Sequence, residues 1–287
     1  MSELSSERES TDVRWRAVLG RPVPALRSLV STYGEYRESA PHPVLRREVP
    51  TPETPLIIEL GDGLLVQAAE DAAGPRRATA LVAVPGRGPS LTRNEGRQHS
   101  VQIRLAPLGA YRLLGPLHES AGRLRHLDEV WGSAGRDLVD RLAAAQSPQR
   151  RFALLDRLLA EIAAEGPEPD PEVVHAFERL RRTQGRVPIS ELVVETGWSR
   201  GRLAQRFRSQ LGQTPKAVAA LLRFDRAVRL ISARPPAALA SIAATCGYYD
   251  QAHLNRDFVA FAGCSPTAWR DAQLPGLPGM GSMPARR

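Results

Sequence analysis

A pattern of residues occurs twice near the end of this chain, and it constrains the fold more than any other feature. The first copy, ISELVVETGWSRGRLAQRFRSQLGQTP, fills residues 189–215, and the second, LASIAATCGYYDQAHLNRDFVAFAGCSP, fills residues 239–266. Gly197 answers Gly247, and an aromatic residue follows each, Trp198 and Tyr248. Leu203 and Phe207 answer Leu254 and Phe258, and Gly212 and Pro215 answer Gly263 and Pro266. The second copy has one extra residue in its turn. Self-similarity of this kind means one supersecondary unit built twice.

Each copy predicts a helix–turn–helix, over residues 189–212 and 239–263. A short first helix ends at glycine, which takes the left-handed cap conformation. Ser199 or Asp250 then caps a second helix. That helix buries one stripe, Leu203, Phe207 and Leu211 in copy one and Leu254, Phe258 and Phe261 in copy two. Its other face carries Gly201, Arg202, Gln205 and Arg208, or Ala252, His253, Asn255 and Arg256. Arg, Gln and Asn make paired hydrogen bonds to guanine or adenine edges in the major groove. A long amphipathic helix through Leu221, Leu222, Ala227, Leu230 and Ile231 joins the copies. A plain helical bundle would also place Leu and Phe at this spacing, but two copies, a connecting helix and a net charge of +7 over residues 171–273 speak against it.

Charge follows the same division. The chain of 287 residues carries a formal charge of +8. Residues 1–170 are net −1, residues 171–273 are net +7, and two arginines close the tail. A basic module behind a near-neutral one suits polyanion binding plus a control domain. A hydrophobic share of 42% is ordinary for a globular protein. No apolar run reaches the ~18 residues a membrane helix needs. The first twenty residues are polar and mixed in charge, unlike a secretory signal. Two cysteines, Cys246 and Cys264, make neither a disulfide framework nor a four-ligand zinc site; both are expected as buried structural thiols. A cytoplasmic location is the expectation.

The C-terminal ~100 residues resemble the DNA-binding domain of AraC/XylS-type bacterial transcription regulators. The resemblance is closest in GYYDQAHLNRDFVAFAGCSPTAWR, residues 247–270, through Gly247, Asp250, Gln251, Leu254, Arg256, Phe258, Gly263, Ser265, Pro266, Trp269 and Arg270. The first copy is more divergent but keeps Ser199, Leu203, Phe207, Gly212 and Pro215. The resemblance implies two recognition helices in adjacent major-groove segments about one turn of DNA apart. It implies base-facing roles for Gly201, Ala204 and Gln205 in the first helix, and for Gln251, Ala252, Asn255 and Arg256 in the second. Gly201 and Ala204 have no donors, so the first copy is expected to lean on shape, methyl groups or phosphates. Arg200, Arg202, Arg206 and Arg208 are the expected phosphate contacts. Asp257 is expected to face solvent or pair within the protein.

The N-terminal part reads as β-rich. LIIEL (residues 56–60), LLVQAA (64–69), ATALVAVP (78–85) and HSVQIRLAP (99–107) are predicted strands, with GDG at residues 61–63 as a hairpin turn. Val101, Ile103 and Leu105 alternate, as in a half-buried strand. The first dozen residues read as disordered, residues 23–37 as a weakly signalled helix or turn, and residues 41–55, rich in proline, as irregular or edge-like. Helices follow at about 108–115, 130–145 and 151–165, with Ser147 and Pro148 restarting the last. Helices are predicted at 172–183, 189–196, 200–211, 216–232, 239–245, 251–261 and 266–271.

The resulting fold class is α+β: a β-rich, cupin-like N-terminal domain followed by helices, then an all-α double helix–turn–helix domain. The division is residues 1–165 for effector sensing or dimerisation, 166–171 as linker, 172–273 for DNA binding, and 274–287 as a disordered tail. In this family the N-terminal domain senses a small molecule or mediates dimerisation. Double-stranded DNA, a small-molecule effector, a second copy and RNA polymerase are the partners considered. No cofactor, metal site or catalytic residue is expected. His99, His118 and His126 lack metal-pair spacing, and PGRGPS (residues 85–90) lacks the lysine of a phosphate loop. The competing readings are a DNA-modifying or repair enzyme that uses the double motif for targeting, and a helical protein–protein adaptor.

Overall fold

The computed structural model describes residues 4–10, 13–68, 74–117, 122–233, 237–271 and 282–284. His118 lies outside them, as does Ala69 at the end of the predicted strand 64–69.

The N-terminal part is built of β1 (Leu4–Ser10), β2 (Val13–Gly20), β3 (Val30–Ser39), β4 (Val44–Glu48), β5 (Thr54–Glu59), β6 (Leu64–Ala68), β7 (Arg76–Ala78), β8 (Ala80–Ala83), β9 (Ser90–Asn94), β10 (Arg97–Leu105) and β11 (Leu124–His126). Ser282–Pro284 return as β12. A seven-stranded sheet runs β1-β2-β3-β10-β5-β8-β11, and a five-stranded sheet runs β12-β4-β9-β6-β7. All the strand pairs are antiparallel.

Several sequence expectations are corrected here. Residues 4–10 pair with β2 rather than lying disordered. Residues 23–37 hold only a 3-10 turn, Pro24–Leu26, before β3 begins. Val30 and Tyr33 pack in the core under the helices, and Tyr36 is buried on the other face of the strand. The proline-rich stretch 41–55 still supplies β4 and the start of β5. Residues 61–63 do not close a hairpin. β5 pairs with β10 and β8, whereas β6 pairs with β9 and β7, so the turn carries the chain from one sheet to the other. Residues 76–83 make the reverse switch, with β7 and β8 in different sheets. In the tail expected to be disordered, Ser282–Pro284 pair with β4, whose exposed edge offers unpaired backbone groups.

Helix α1 (Pro107–Leu114) comes between β10 and β11, and α2 (Leu127–Ala144) and α3 (Pro148–Glu165) follow β11. Ser147 Oγ accepts the Arg150 amide, and Pro148 opens α3, as the sequence predicts. Leu138 and Leu142 of α2 and Phe152, Leu155 and Leu159 of α3 share one core with Val30, Tyr33, Leu56, Ile58, Val101, Ile103 and Leu105. These helices therefore bury their leucine stripes on the seven-stranded sheet. The other face of that sheet turns to the five-stranded sheet, so Ile57, Gln102 and Arg104 border an interior cavity rather than solvent.

Residues 166–170 lead into α4 (Pro171–Arg182), α5 (Ile189–Thr196), α6 (Arg200–Leu211), α7 (Pro215–Ser232), α8 (Leu239–Cys246), α9 (Gln251–Ala262) and α10 (Pro266–Asp271). These follow the predicted helices to within a residue or so at each end. Two cores form. One gathers Val173, Phe177, Leu180, Leu192, Leu203, Phe207 and Leu211, and the other Ile242, Cys246, Tyr248, Leu254, Phe258, Phe261 and Trp269. α7 belongs to both, giving Val218 and Leu222 to the first and Leu221, Phe224, Ala227 and Ile231 to the second.

Candidate DNA-binding interface

The two helix–turn–helix units are built by the same local chemistry. Gly197 ends α5 at φ 67° and Gly247 ends α8 at φ 79°, left-handed values that side chains with a Cβ resist. The Ser199 Oγ then accepts the Arg202 amide at 3.2 Å, and Asp250 Oδ1 accepts the His253 amide at 2.6 Å. Leu203, Phe207, Leu254 and Phe258 are fully buried. Phe258 meets Phe224 edge-on at 5.1 Å between ring centroids, which locks α9 onto α7. Burying this stripe fixes which side chains of α6 and α9 remain outside.

On α6, Gly201 and Gln205 are exposed and Ala204 is half-buried. On α9, Gln251, Ala252 and Arg256 are exposed, while Asn255 is half-buried. Arg200, Arg202 and Arg208 are exposed. The Arg202 guanidinium sits over the Trp198 ring, 4.6 Å from its centroid, and is held beside the start of α6. Arg206 is committed differently: its Nη2 donates to Asp170 Oδ1 at 2.7 Å. This bidentate pair ties α6 to the chain just before α4, and the Arg206 guanidinium holds the Asp170 carboxyl below the usual range. Asp257 is half-buried; its Oδ2 lies 3.9 Å from His253 Nε2 and has no hydrogen-bond partner.

Tyr249 escaped the sequence reading. It is 93% exposed, directly before the cap of α9. It is the extra residue of the second turn, and that insertion was its only signal. A second missed feature is the contact of α6 and α9 with the β-rich part. Leu117 N donates to Ser209 O of α6 at 2.9 Å, and Gln213 Nε2 donates to Pro85 O at 2.6 Å. Arg47 Nη1 donates to Ala262 O and Gly263 O, the end of α9. PGRGPS is thus an inter-element loop, joined through Pro85 to the residue after the Gly212 cap.

Among the described residues, no group of three or more His, Cys, Asp or Glu side chains could hold a metal. His99 pairs with Glu35 at 2.9 Å. Cys246 is buried, and burial pushes its thiol up; Cys264 is half-buried, and burial pushes it up as well. Among the described residues, no helix is long and apolar enough to cross a membrane.

Residues 192–272 match the family model described as a helix-turn-helix domain. No curated protein matches the chain. Similar solved structures include ToxT from Vibrio cholerae O395, at 11% identity and TM-score 0.49, over 85% of this chain and 98% of that one. They also include the AraC-like transcriptional activator CuxR, at 13% identity and TM-score 0.33, over 76% of this chain and 92% of that one. The xylose-binding transcription activator XylR matches at 19% identity and TM-score 0.32, over 43% of this chain and 39% of that one. The family match thus covers α6 to α10 and most of α5, the elements that hold both helix–turn–helix units.

Proposed function

We propose that the chain is a sequence-specific DNA-binding transcription regulator in which α6 and α9 read adjacent major-groove segments. The observation that carries this reading is the matched register of the two helices. The same buried Leu and Phe stripe leaves Gln205 outward on one and Gln251 and Arg256 outward on the other. Arg256 and Gln251 are the main base readers, with Asn255 beside them. Gly201, Ala204 and Ala252 allow close approach to the groove. Arg200, Arg202 and Arg208 contact phosphate, and Arg206 joins them when its pair with Asp170 opens. Affinity then comes mostly from arginine–phosphate contacts and falls steeply with salt.

In this reading the β-rich part controls the helical part, with a small-molecule effector, a second copy and RNA polymerase as partners, and the site of action is the cytoplasm. The protein then performs no catalytic step. Substitution tests the assignment. Arg256→Ala and Gln205→Ala should keep the fold and weaken binding to a selected operator, by about 1–3 kcal/mol for a paired base contact. Operator binding unchanged in both variants would contradict it.

A further inference from the structure

Between the two sheets lies a cavity of about 120 Å³. Ile57 and Leu81 of the seven-stranded sheet and Leu64 and Val66 of the five-stranded sheet line it with apolar side chains, and Arg46 of the five-stranded sheet lines it as well. Arg46 is only 4% exposed. Its Nη2 donates to Glu38, whose other oxygen accepts Asn94 Nδ2 at 2.9 Å. Its Nε and Nη1 are buried and have no protein partner. A guanidinium cannot shed these donors, and buried donors left unmade are costly. The fold needs the Glu38 contact, but it leaves two buried nitrogens of a cavity-lining arginine without a hydrogen-bond partner.

The charges around the cavity limit what can fill it. Two guanidinium groups, Arg46 and Arg104, stand among three carboxyl groups, Glu38, Glu48 and Glu53. Arg104 Nη1 is 3.9 Å from Glu53 Oε2, and Arg123 is exposed at the rim. Positive charge is therefore already matched, and burial holds the Glu48 carboxyl above its usual range. A buried anion would add an uncompensated charge. We infer that the cavity binds a small uncharged molecule with an apolar body and an acceptor oxygen directed at Arg46 Nε and Nη1. An engineered apolar cavity of ~150 Å³ takes benzene, so a single ring sets the scale.

The strand that carries Arg46 also carries its consequence. Side chains alternate along β4, so Arg46 turns to the cavity while Arg47 turns to the end of α9. Occupancy of the cavity thereby reaches the second reading helix. That consequence, unlike the site itself, rests on the regulator reading.

The test uses the full chain and three ring compounds of similar size: acetophenone, ethylbenzene and benzoate. Binding is measured by calorimetry and by thermal melting. Acetophenone should bind and raise Tm, with an affinity roughly tenfold or more above that of ethylbenzene and of benzoate. Val66→Phe, two strands from Arg46 on the same sheet, fills the cavity, leaves Arg46 with Glu38 and should abolish it. Arg46→Met, where it folds, should bring acetophenone down to the level of ethylbenzene. Equal binding of ethylbenzene, tighter binding of benzoate, or no acetophenone binding at its solubility limit would each overturn the proposal. DNA binding of the ligand-free protein is measured in parallel, so failure of this site is distinguishable from failure of the regulator reading.

Discussion

Arg47 Nη1 lies 2.9 Å from the carbonyl oxygen of Gly263 and 3.1 Å from that of Ala262. Those carbonyls end α9, where the helix dipole is negative and the last acceptors lack intrahelical partners. One arginine of the β-rich part therefore caps α9 of the helical part. Arg47→Ala should loosen that end by about 1–2 kcal/mol. Amide exchange over residues 259–264 should accelerate while residues 203–211 keep their protection. Unchanged exchange at 259–264 would show that the contact is not made in solution.

Asp170 and Arg206 form a second restraint, on α6. Asp170→Asn removes the charge that holds Arg206. One more guanidinium is then free to meet DNA phosphate. The slope of log affinity against log salt should steepen by about 0.9, one added phosphate contact. An unaltered slope would place Arg206 away from the DNA.

Glu35 is a buried hub on β3. It accepts from Arg151 Nη1 at 2.9 Å and from Arg37 and pairs with His99. Burial alone would raise its pKa, but the His99 hydrogen bond, Arg151 and Arg37 outweigh burial and hold it at about 2, below its ordinary 4.5. A carboxyl with a depressed folded pKa contributes stability that is full above 4.5 and is lost as pH falls toward 2. Glu35→Gln leaves Arg151 buried without its anion and should cost about 3–5 kcal/mol near pH 7. The Tm gap between variant and parent should narrow as pH falls from 4.5 toward 2.

Glu59 has the opposite sign. Burial pushes it up to about 7, against hydrogen bonds from the His99 and Gly61 amides and Gln98. Its Oε2 is buried without a partner. Folding favours its protonated form, so its contribution worsens as pH rises from 4.5 to 7. Glu59→Gln keeps an acceptor for the His99 amide and removes the charge. Melting curves should show the variant more stable than the parent above pH 7 and close to it below pH 4.5.

The helical half was legible because its signals are local. Caps such as Ser199 and Asp250, and the spacing of Leu203 and Phe207, act within a turn or two of helix. The β-rich half was legible only strand by strand. Which sheet a strand joins depends on long-range pairing, so the crossing at residues 61–63 read as an ordinary hairpin. Residues 30–39 carried too many polar side chains to read as a buried strand, because Glu35 and Glu38 are solvated in sequence logic and ion-paired in the fold. The even positions of β10 read as a solvent face for the same reason, although Gln102 and Arg104 line the cavity. Arg206 read as a free cation because its partner lies 36 residues away.

Selection of bound duplexes from a random DNA library, with the full chain at two salt concentrations, tests the central claim most directly. The account predicts a site with two short conserved blocks about one helical turn, ~10 bp, apart. Arg256→Ala should blur only the block read by α9. Absence of any enriched sequence at either salt would contradict the account.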